Sequence, residues 1–573
     1  MDRKKFIELC TVCGGAFATT SVTGFPETIL ASAKKNSSTS NEDRLSSDLV
    51  IAGGGLGGCA AALAALRNNL TVILTEETDW IGGQIAQQGV PPDEHQWIET
   101  HGSTQLYRQF RNSVRQYYVR NYPLTDTARE NKFLNPGDGS VSRLCHEPRT
   151  ALAVLIDFLA PYISSGKLVL LTNYKIISAD VNASKVRALK AVNQIHGKNV
   201  ILSAPYFVDA TELGDLLPLT GTEFVTGSES KKETGELHAP EKANPENNQA
   251  FTYCFALDYI PGENHLIEKP HEYDFWRNYK PELDSPWSGK LLDLSYSNPS
   301  TLAPKSLGFN PEGVDTSPLL NLWNYRRIIN KNNFKSGTYR SDITIVNWPQ
   351  NDYLPGNLIG ASQADFSKHI ESAKQLSLSL LYWLQTEAPR PDKGYGWPGL
   401  RLRRDIMGTE DGLAKYPYIR ESRRIKAEFT ILEEHVGKEN RSMVTGKKDN
   451  ITASEFYDSI GIGYYHIDLH PSCAGNNYID IDSLPFQIPL GALIPKRIQN
   501  LIPANKNIGT THITNGCYRV HPVEWSIGES AGLLIAFSKS KKVLPREVRE
   551  RKELLAEFQD LIRTQGIETH WPK

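Results

Sequence analysis

The 573 residues are too many for one hydrophobic core, so at about 150 residues per domain two to four units, or one large fold with insertions, are expected. Its 63 Lys and Arg against 65 Asp and Glu leave a formal charge of −2, which excludes the basic excess of an electrostatic nucleic-acid binder. The 39% apolar and 22% charged content excludes a disordered or collagen-like chain, and no apolar run of about 18 residues offers a membrane span.

At the N-terminus Arg3, Lys4 and Lys5 precede a mildly apolar run from Phe6 to Phe25 and a small-residue exit, Ala31-Ser32-Ala33. Charged start, apolar middle and small exit are the three parts of an export signal, so residues 1–33 are expected to direct the protein to the periplasm or outside the cell. Arg3-Lys4 followed by Phe6 resembles a twin-arginine signal with one Arg replaced by Lys. Residues 34–46, polar and Ser-rich, are expected to be a flexible lead-in. Cys59, Cys145, Cys254, Cys473 and Cys517 remain beyond the signal, odd in number and without a CxxC pair. That pattern suits neither a disulfide framework nor a structural zinc site, and no other metal-ligand spacing is apparent.

Asp48 to Ala52 is the apolar run of a buried parallel strand. It flows into Gly53-Gly54-Gly55-Leu56-Gly57-Gly58, then into an Ala- and Leu-rich helix from Cys59 to Leu70, then into a second strand from Thr71 that ends at Glu76. Gly53 permits a tight turn, Gly55 lets backbone approach a pyrophosphate, and Gly58 lets helix and strand close up. The helix start adds unpaired N–H groups and a partial positive charge for phosphates. Glu76 follows Gly58 at close to the ~20-residue spacing of a carboxylate that holds ribose hydroxyls. An acid there favours an unphosphorylated ribose, which leaves FAD and NAD open.

Three further segments bear on that choice. Trp80-Ile81-Gly82-Gly83-Gln84 resembles the turn after the second strand in FAD enzymes of the glutathione-reductase structural class. Phe207-Val208-Asp209-Ala210-Thr211-Glu212-Leu213-Gly214-Asp215 resembles that class's second FAD-proximal motif, with Glu212-Leu213 departing from the usual Gly-Asp. Near the end, Leu501 to Asn505 forms a returning strand and turn, and Gly528-Glu529-Ser530-Ala531-Gly532 is expected to open a helix whose N–H groups face a flavin. Together with Val141 to Pro148, Asn347 to Tyr353, Tyr418 to Arg424 and Tyr518 to Trp525, these segments resemble the bacterial FAD-dependent oxidoreductase family. That family is related to the flavin domain of heterodisulfide reductase-like proteins, and some relatives carry the label xanthan lyase. The resemblance implies bound FAD held by Gly53, Gly55, Gly57, Gly58, Glu76, Gly83, Gln84, Asp209, Thr211, Gly528, Ala531 and Gly532. It also implies an α/β fold: a Rossmann-like FAD-binding domain of the glutathione-reductase class carrying an inserted α+β cap.

On that reading residues 47–220 and 486–540 build the FAD domain, 221–485 form the substrate cap, and 541–573 a C-terminal amphipathic helix with Leu554, Leu555, Phe558 and Leu561 on one face. A flavin dehydrogenase needs a base near working pH, and histidine suits that task. His512 and His521 lie between the returning strand and the flavin-facing helix; His521 is expected as base, with Arg519 as an oxygen or anion clamp. Cys145-His146, Arg143 and Arg149 are the competing cluster, with burial of Cys145 as a small hydrophobe the plainer account. Asn347, Trp348, Asn351 and Asp352 suit either a grip on a hydroxylated substrate or a turn; Tyr418, Arg420, Glu421, Arg423 and Arg424 suit either a clamp or a salt-bridged helix start. The expectation is hydride removal from a small, carbohydrate- or polyol-like molecule, with an electron acceptor that the sequence does not name. A reductase fed by a separate electron carrier, a lyase or isomerase with redox-neutral FAD, and a non-catalytic binding protein are the rivals.

Overall fold

The computed structural model describes residues 43–572 apart from 314, 315 and 317, so residues 1–33, expected to direct export, lie outside the described residues. Its centre is a parallel sheet of five strands in the order Leu501–Pro503, Tyr206–Asp209, Leu49–Ala52, Val72–Glu76, Leu168–Thr172. Every residue of Leu49–Ala52 is buried, as a strand covered on both faces requires. Leu49 stands opposite Val72 on one side and Tyr206 on the other, and Leu501 opposite Phe207. The strand at the chain's C-terminal end thus becomes the neighbour of one formed near residue 206, and both ends of the chain share one sheet.

The helix Leu56–Arg67 is buried along nearly its whole length because helix His521–Lys541 packs against the side away from the sheet. A second sheet, in the order Asp43–Ser46, Asn199–Ser203, Lys185–Asn193, Tyr174–Asn182, covers the opposite face. Its first strand corrects one expectation. Residues 43–46 are not part of a flexible lead-in, because Asp43 to Ser46 pair in parallel with Val200 to Ser203 and bury Leu45.

A separate core gathers the aromatic side chains of the middle of the chain, among them Trp276, Trp323, Trp348 and Trp383. It is built on the antiparallel sheet Arg327–Ile329, Ile343–Val346, Phe255–Tyr259, Leu400–Leu402 and on helix Gln363–Thr386. Ser362 caps that helix by accepting the Asp365 amide, and Ala373, Leu376, Leu380, Leu381 and Leu384 form its buried face. At the C-terminus the expected single helix is two, Pro545–Glu550 and Lys552–Thr564, parted by extended backbone at Arg551. Leu554, Leu555, Phe558 and Ile562 are buried, with Leu561 at the edge of the core.

Candidate active site

The glycine run does what its spacing requires. Gly53 has φ +94°, and a side chain on it would collide with the Ala210 carbonyl. A side chain on Gly58 would collide with the Gly53 carbonyl, and one on Gly57 with that of Ala504. Gly55 is the helix N-cap and supplies no capping side chain, so the first turn keeps donors for a ligand. Glu76 is buried at the end of its strand, accepting the Gly54 amide at 2.9 Å and the Thr78 amide at 2.8 Å. Burial pushes its carboxyl up to about 8. A cleft lined by Gly53, Gly55, Glu76, Lys175, Ile176 and Thr211 runs over this corner.

Asp209 and Thr211 hold the neighbouring loop. The Asp209 carboxylate accepts the Thr211 hydroxyl at 2.7 Å, its amide at 3.0 Å and the Leu216 amide at 3.1 Å. All of Asp209's reach is spent inside the protein; Thr211 alone of the two faces the cleft. At the departure from the family motif, Glu212 forms a buried ion pair with Lys506.

The reading of Gly528, Ala531 and Gly532 as a flavin-facing helix start is overturned. The helix begins at His521, with Pro522 in its first turn, so the amides around Gly528 are already inside it. Side chains on Gly528 and Gly532 would collide with the carbonyls of Gly57 and Ala61. These glycines, with Ala531 buried beside them, let two helix backbones touch, and they carry no ligand donors. The residue this helix brings to the dinucleotide corner is Glu524, which accepts the Gly57 amide at 3.3 Å and bonds to the Gln84 side chain. Burial lifts Glu524 to about 7.

His521 is fully buried, and its Nδ1 accepts the Asp93 amide at 3.1 Å. Burial holds its pKa down at about 4. A neutral ring whose Nδ1 accepts carries its hydrogen on Nε2, so His521 presents a donor and is not the base expected of it. His512 is also diverted: its Nδ1 bonds to Glu421 at 2.6 Å, and Glu421 accepts Arg424 at 2.9 Å as well. Arg519 stands where a clamp should. Its guanidinium donates to the Tyr418 hydroxyl at 2.9 Å and to Asp468 Oδ2 at 3.1 Å, and it lines a cavity of about 290 Å³. Cys145 is buried and its thiol is pushed up to about 12 by burial, which leaves no reactive thiolate. His146 donates from Nδ1 to the Glu147 carbonyl at 2.9 Å and is held near 4 by burial. Arg143 and Arg149 are exposed, outside the cavity.

Asn347, Trp348, Tyr418 and Arg420 line the cavity, whereas Asn351 makes the turn by bonding the Trp348 amide at 2.9 Å and the Tyr253 carbonyl at 3.1 Å. Arg423 pairs with Asp215 and Arg424 with Glu229, both outside the cavity. The sequence reasoning missed the facing wall: His466, Asp468 and His470, with Arg326 across from them. Asp468 is the middle residue of the strand Ile467–Leu469, and His466 and His470 flank that strand, two positions to either side of Asp468; all three reach the cavity. Asp352, buried behind, accepts His470 Nδ1 at 2.6 Å, Arg420 at 3.0 Å and the Thr252 hydroxyl at 2.5 Å. Burial alone would raise Asp352, but the charges of Arg420 and His470 hold it below the usual carboxylate range. His470 Nε2 is left beside the cavity, 3.8 Å from Asp468 Oδ2.

The corner between the glycine run and this cavity fits the FAD that the resemblance implies. Gly83 has φ +55° and abuts the Leu56 amide at the helix start, where a side chain would fill the space over the first turn. Gln84 Oε1, both amide atoms of Gln88, Glu212 Oε1 and His521 Nε2 are buried without protein partners. The hydroxyls and the N–H edge of a flavin dinucleotide would donate to the three orphaned oxygens, and its carbonyls or phosphates would accept from Gln88 Nε2 and His521 Nε2. Glu76 would hold the ribose, Gly55 and its neighbours the pyrophosphate, and Gln84 with His521 the flavin edge.

No curated protein matches the chain. Among solved structures it resembles L-proline dehydrogenase from P. horikoshii (14% identity, TM-score 0.17), covering 32% of this chain and 24% of that one. It also resembles the anhydrotetracycline hydroxylase OxyS from Streptomyces rimosus (9%, TM-score 0.32; 91% and 66%) and E. coli quinol fumarate reductase FrdA (12%, TM-score 0.31; 91% and 74%). The chain therefore spans a quarter to two thirds of the first two, and likenesses with TM-scores this low carry no argument about activity. The model of the family described as FAD dependent oxidoreductase matches residues 48–562. The chain belongs to that family.

Proposed function

We propose that the enzyme removes a hydride from a hydroxyl-bearing carbon of a small, carbohydrate- or polyol-like substrate seated in the cavity lined by Arg519, His470 and Trp348. The observation that carries this reading is the buried Asp352–His470 pair, which fixes one ring nitrogen and leaves the other for the cavity. FAD, when bound, supplies the two-electron acceptor. His470 Nε2 takes the hydroxyl proton, and the Asp352 carboxylate at Nδ1 stabilises the imidazolium that results. Arg519 donates to the substrate oxygen and holds it in place, while Asp468, held below the usual carboxylate range by the Arg519 charge despite its burial, and further once His470 carries the proton, stays ionised beside both. Aromatic walls from Trp348, Tyr296 and Tyr418 among polar groups suit a ring with hydroxyls on its edges.

The test is anaerobic mixing of FAD-loaded protein with a panel of alcohols and sugars while the flavin absorbance is followed. Bleaching by a polyol or sugar is expected, slowed by roughly 10²- to 10⁴-fold in His470→Gln, with binding retained. Bleaching only by a reduced electron carrier would favour a reductase, and turnover without any flavin change a lyase or isomerase. Residues 1–33 are proposed to direct export, which cell fractionation and N-terminal sequencing of the mature protein check.

A further inference from the structure

We infer that the substrate of this cavity is an acid, a small hydroxylated carboxylate whose carboxyl group is seated on Arg326; the inference rests on the substrate reading above. The cavity's three arginines are not equally occupied. Arg420 donates to the Ala250 carbonyl at 2.8 Å, the Thr252 hydroxyl at 2.9 Å and Asp352 at 3.0 Å. Arg519 donates to the Asp468 carbonyl at 2.8 Å, to its carboxylate at 3.1 Å and to the Tyr418 hydroxyl at 2.9 Å. Arg326 has only long contacts, 3.5 Å to the Pro91 carbonyl and 3.4 Å to Asp93 Oδ1; its Nε has no partner, as in the other two, so the difference lies in its terminal nitrogens. Yet its side chain is only 10% exposed.

A buried guanidinium with most of its five donors idle is costly unless a ligand completes it. Its planar fork matches a carboxylate, and stacking on the Tyr325 ring at 5.2 Å keeps the fork oriented. Asn347 Nδ2, on the same wall, is a second buried donor without a partner. Three of the acids at the cavity are held by other cations, Asp352 by Arg420, Asp468 by Arg519 and Asp480 by His466, and the fourth, Asp93, reaches Arg326 through one oxygen at 3.4 Å, which leaves the rest of that fork free. Lys305 at the lining adds a further positive charge, and His466 and His470 add more whenever protonated. Idle donors with committed acceptors select a ligand rich in acceptors and bearing negative charge. One underused fork and a single idle amide fit a carboxylate better than a phosphate, whose greater charge would need a larger surplus of donors.

Isothermal titration of the FAD-loaded protein with matched pairs tests this: D-glucuronate against D-glucose and D-galacturonate against D-galactose, with D-gluconate, L-lactate and glucose 6-phosphate added. The expected result is that at least one carboxylate binds about ten-fold or more tighter than its neutral partner. Arg326→Gln should abolish that preference by weakening the acid about ten-fold more than its neutral partner, and Arg326→Lys should keep part of it. Should Arg326→Gln fail to load FAD, the nearly isosteric Asn347→Asp serves in its place, weakening the acid alone. Equal binding of acid and neutral partner, no binding of any of the carboxylates, tighter binding of glucose 6-phosphate than of glucuronate, or an Arg326→Gln or Asn347→Asp variant that binds acid as the native protein does would each overturn the inference. A carboxylate that binds without bleaching the flavin leaves this inference standing and sinks the dehydrogenase reading; bleaching by a neutral alcohol with no preference for acids does the reverse.

Discussion

His466 and His521 are two histidines of one region with opposite electrostatic fates. At His521 burial dominates and the ring stays neutral down to about pH 4. At His466 burial also pulls downward, but the Asp480 bond and the Asp468 charge outweigh it, against a smaller opposing push from Arg519, and the net shift is upward from 6.5. His466 is therefore protonated up to a pH above its ordinary value and adds positive charge to the cavity below that pH. Affinity for a carboxylate ligand is expected to fall as pH rises through this raised value, and His466→Gln should flatten the profile, as titrations at a series of pH values will read. No inflection from His521 should appear in the neutral range. Of these residues His521 and Arg519 were visible in the sequence because they sit beside the returning helix. His466, Asp468 and His470 were not, because alternating polar residues around a short strand ordinarily mark a solvated face, and only long-range packing with Arg326, Arg420 and Arg519 makes that face line a cavity.

The contact between helices Leu56–Arg67 and His521–Lys541 is made of backbone against backbone at Gly57, Ala61, Gly528 and Gly532. Replacing Gly532 by Val forces a branched side chain into the Ala61 carbonyl, so the helices must part. A loss of about 1–3 kcal/mol is expected, with weaker retention of FAD because the first helix carries the glycine run. Thermal melts and flavin content of the purified variant read both effects. The glycine run itself was legible because strand, turn, helix and acid are local and arrive in order. Gly528 to Gly532 was misassigned because small residues at helical spacing serve ligand approach and helix contact alike. The signal that settles it, Pro522 as a first-turn residue, stood in the sequence six positions before Gly528.

Over the whole molecule, the FAD corner draws on residues near Gly55, Glu212, Lys506 and Glu524, so the cofactor ties together segments far apart along the chain. Loading with FAD at a hundred times its dissociation constant should therefore stabilise the native state by about 2.7 kcal/mol and raise Tm, as paired melts of loaded and stripped protein will show. The composition foretold a chain with more than one core, and the aromatic cluster of the middle segment fits that arithmetic. What no local pattern could state is which strand lies beside which. Because Leu501–Pro503 closes the sheet against Tyr206–Asp209, and His521–Lys541 covers the first helix, a nascent polypeptide halfway off the ribosome has an open sheet border and a bare helix flank. The pocket for the coenzyme is therefore whole only once residues 501–541 have been made, long after the glycine run that begins it.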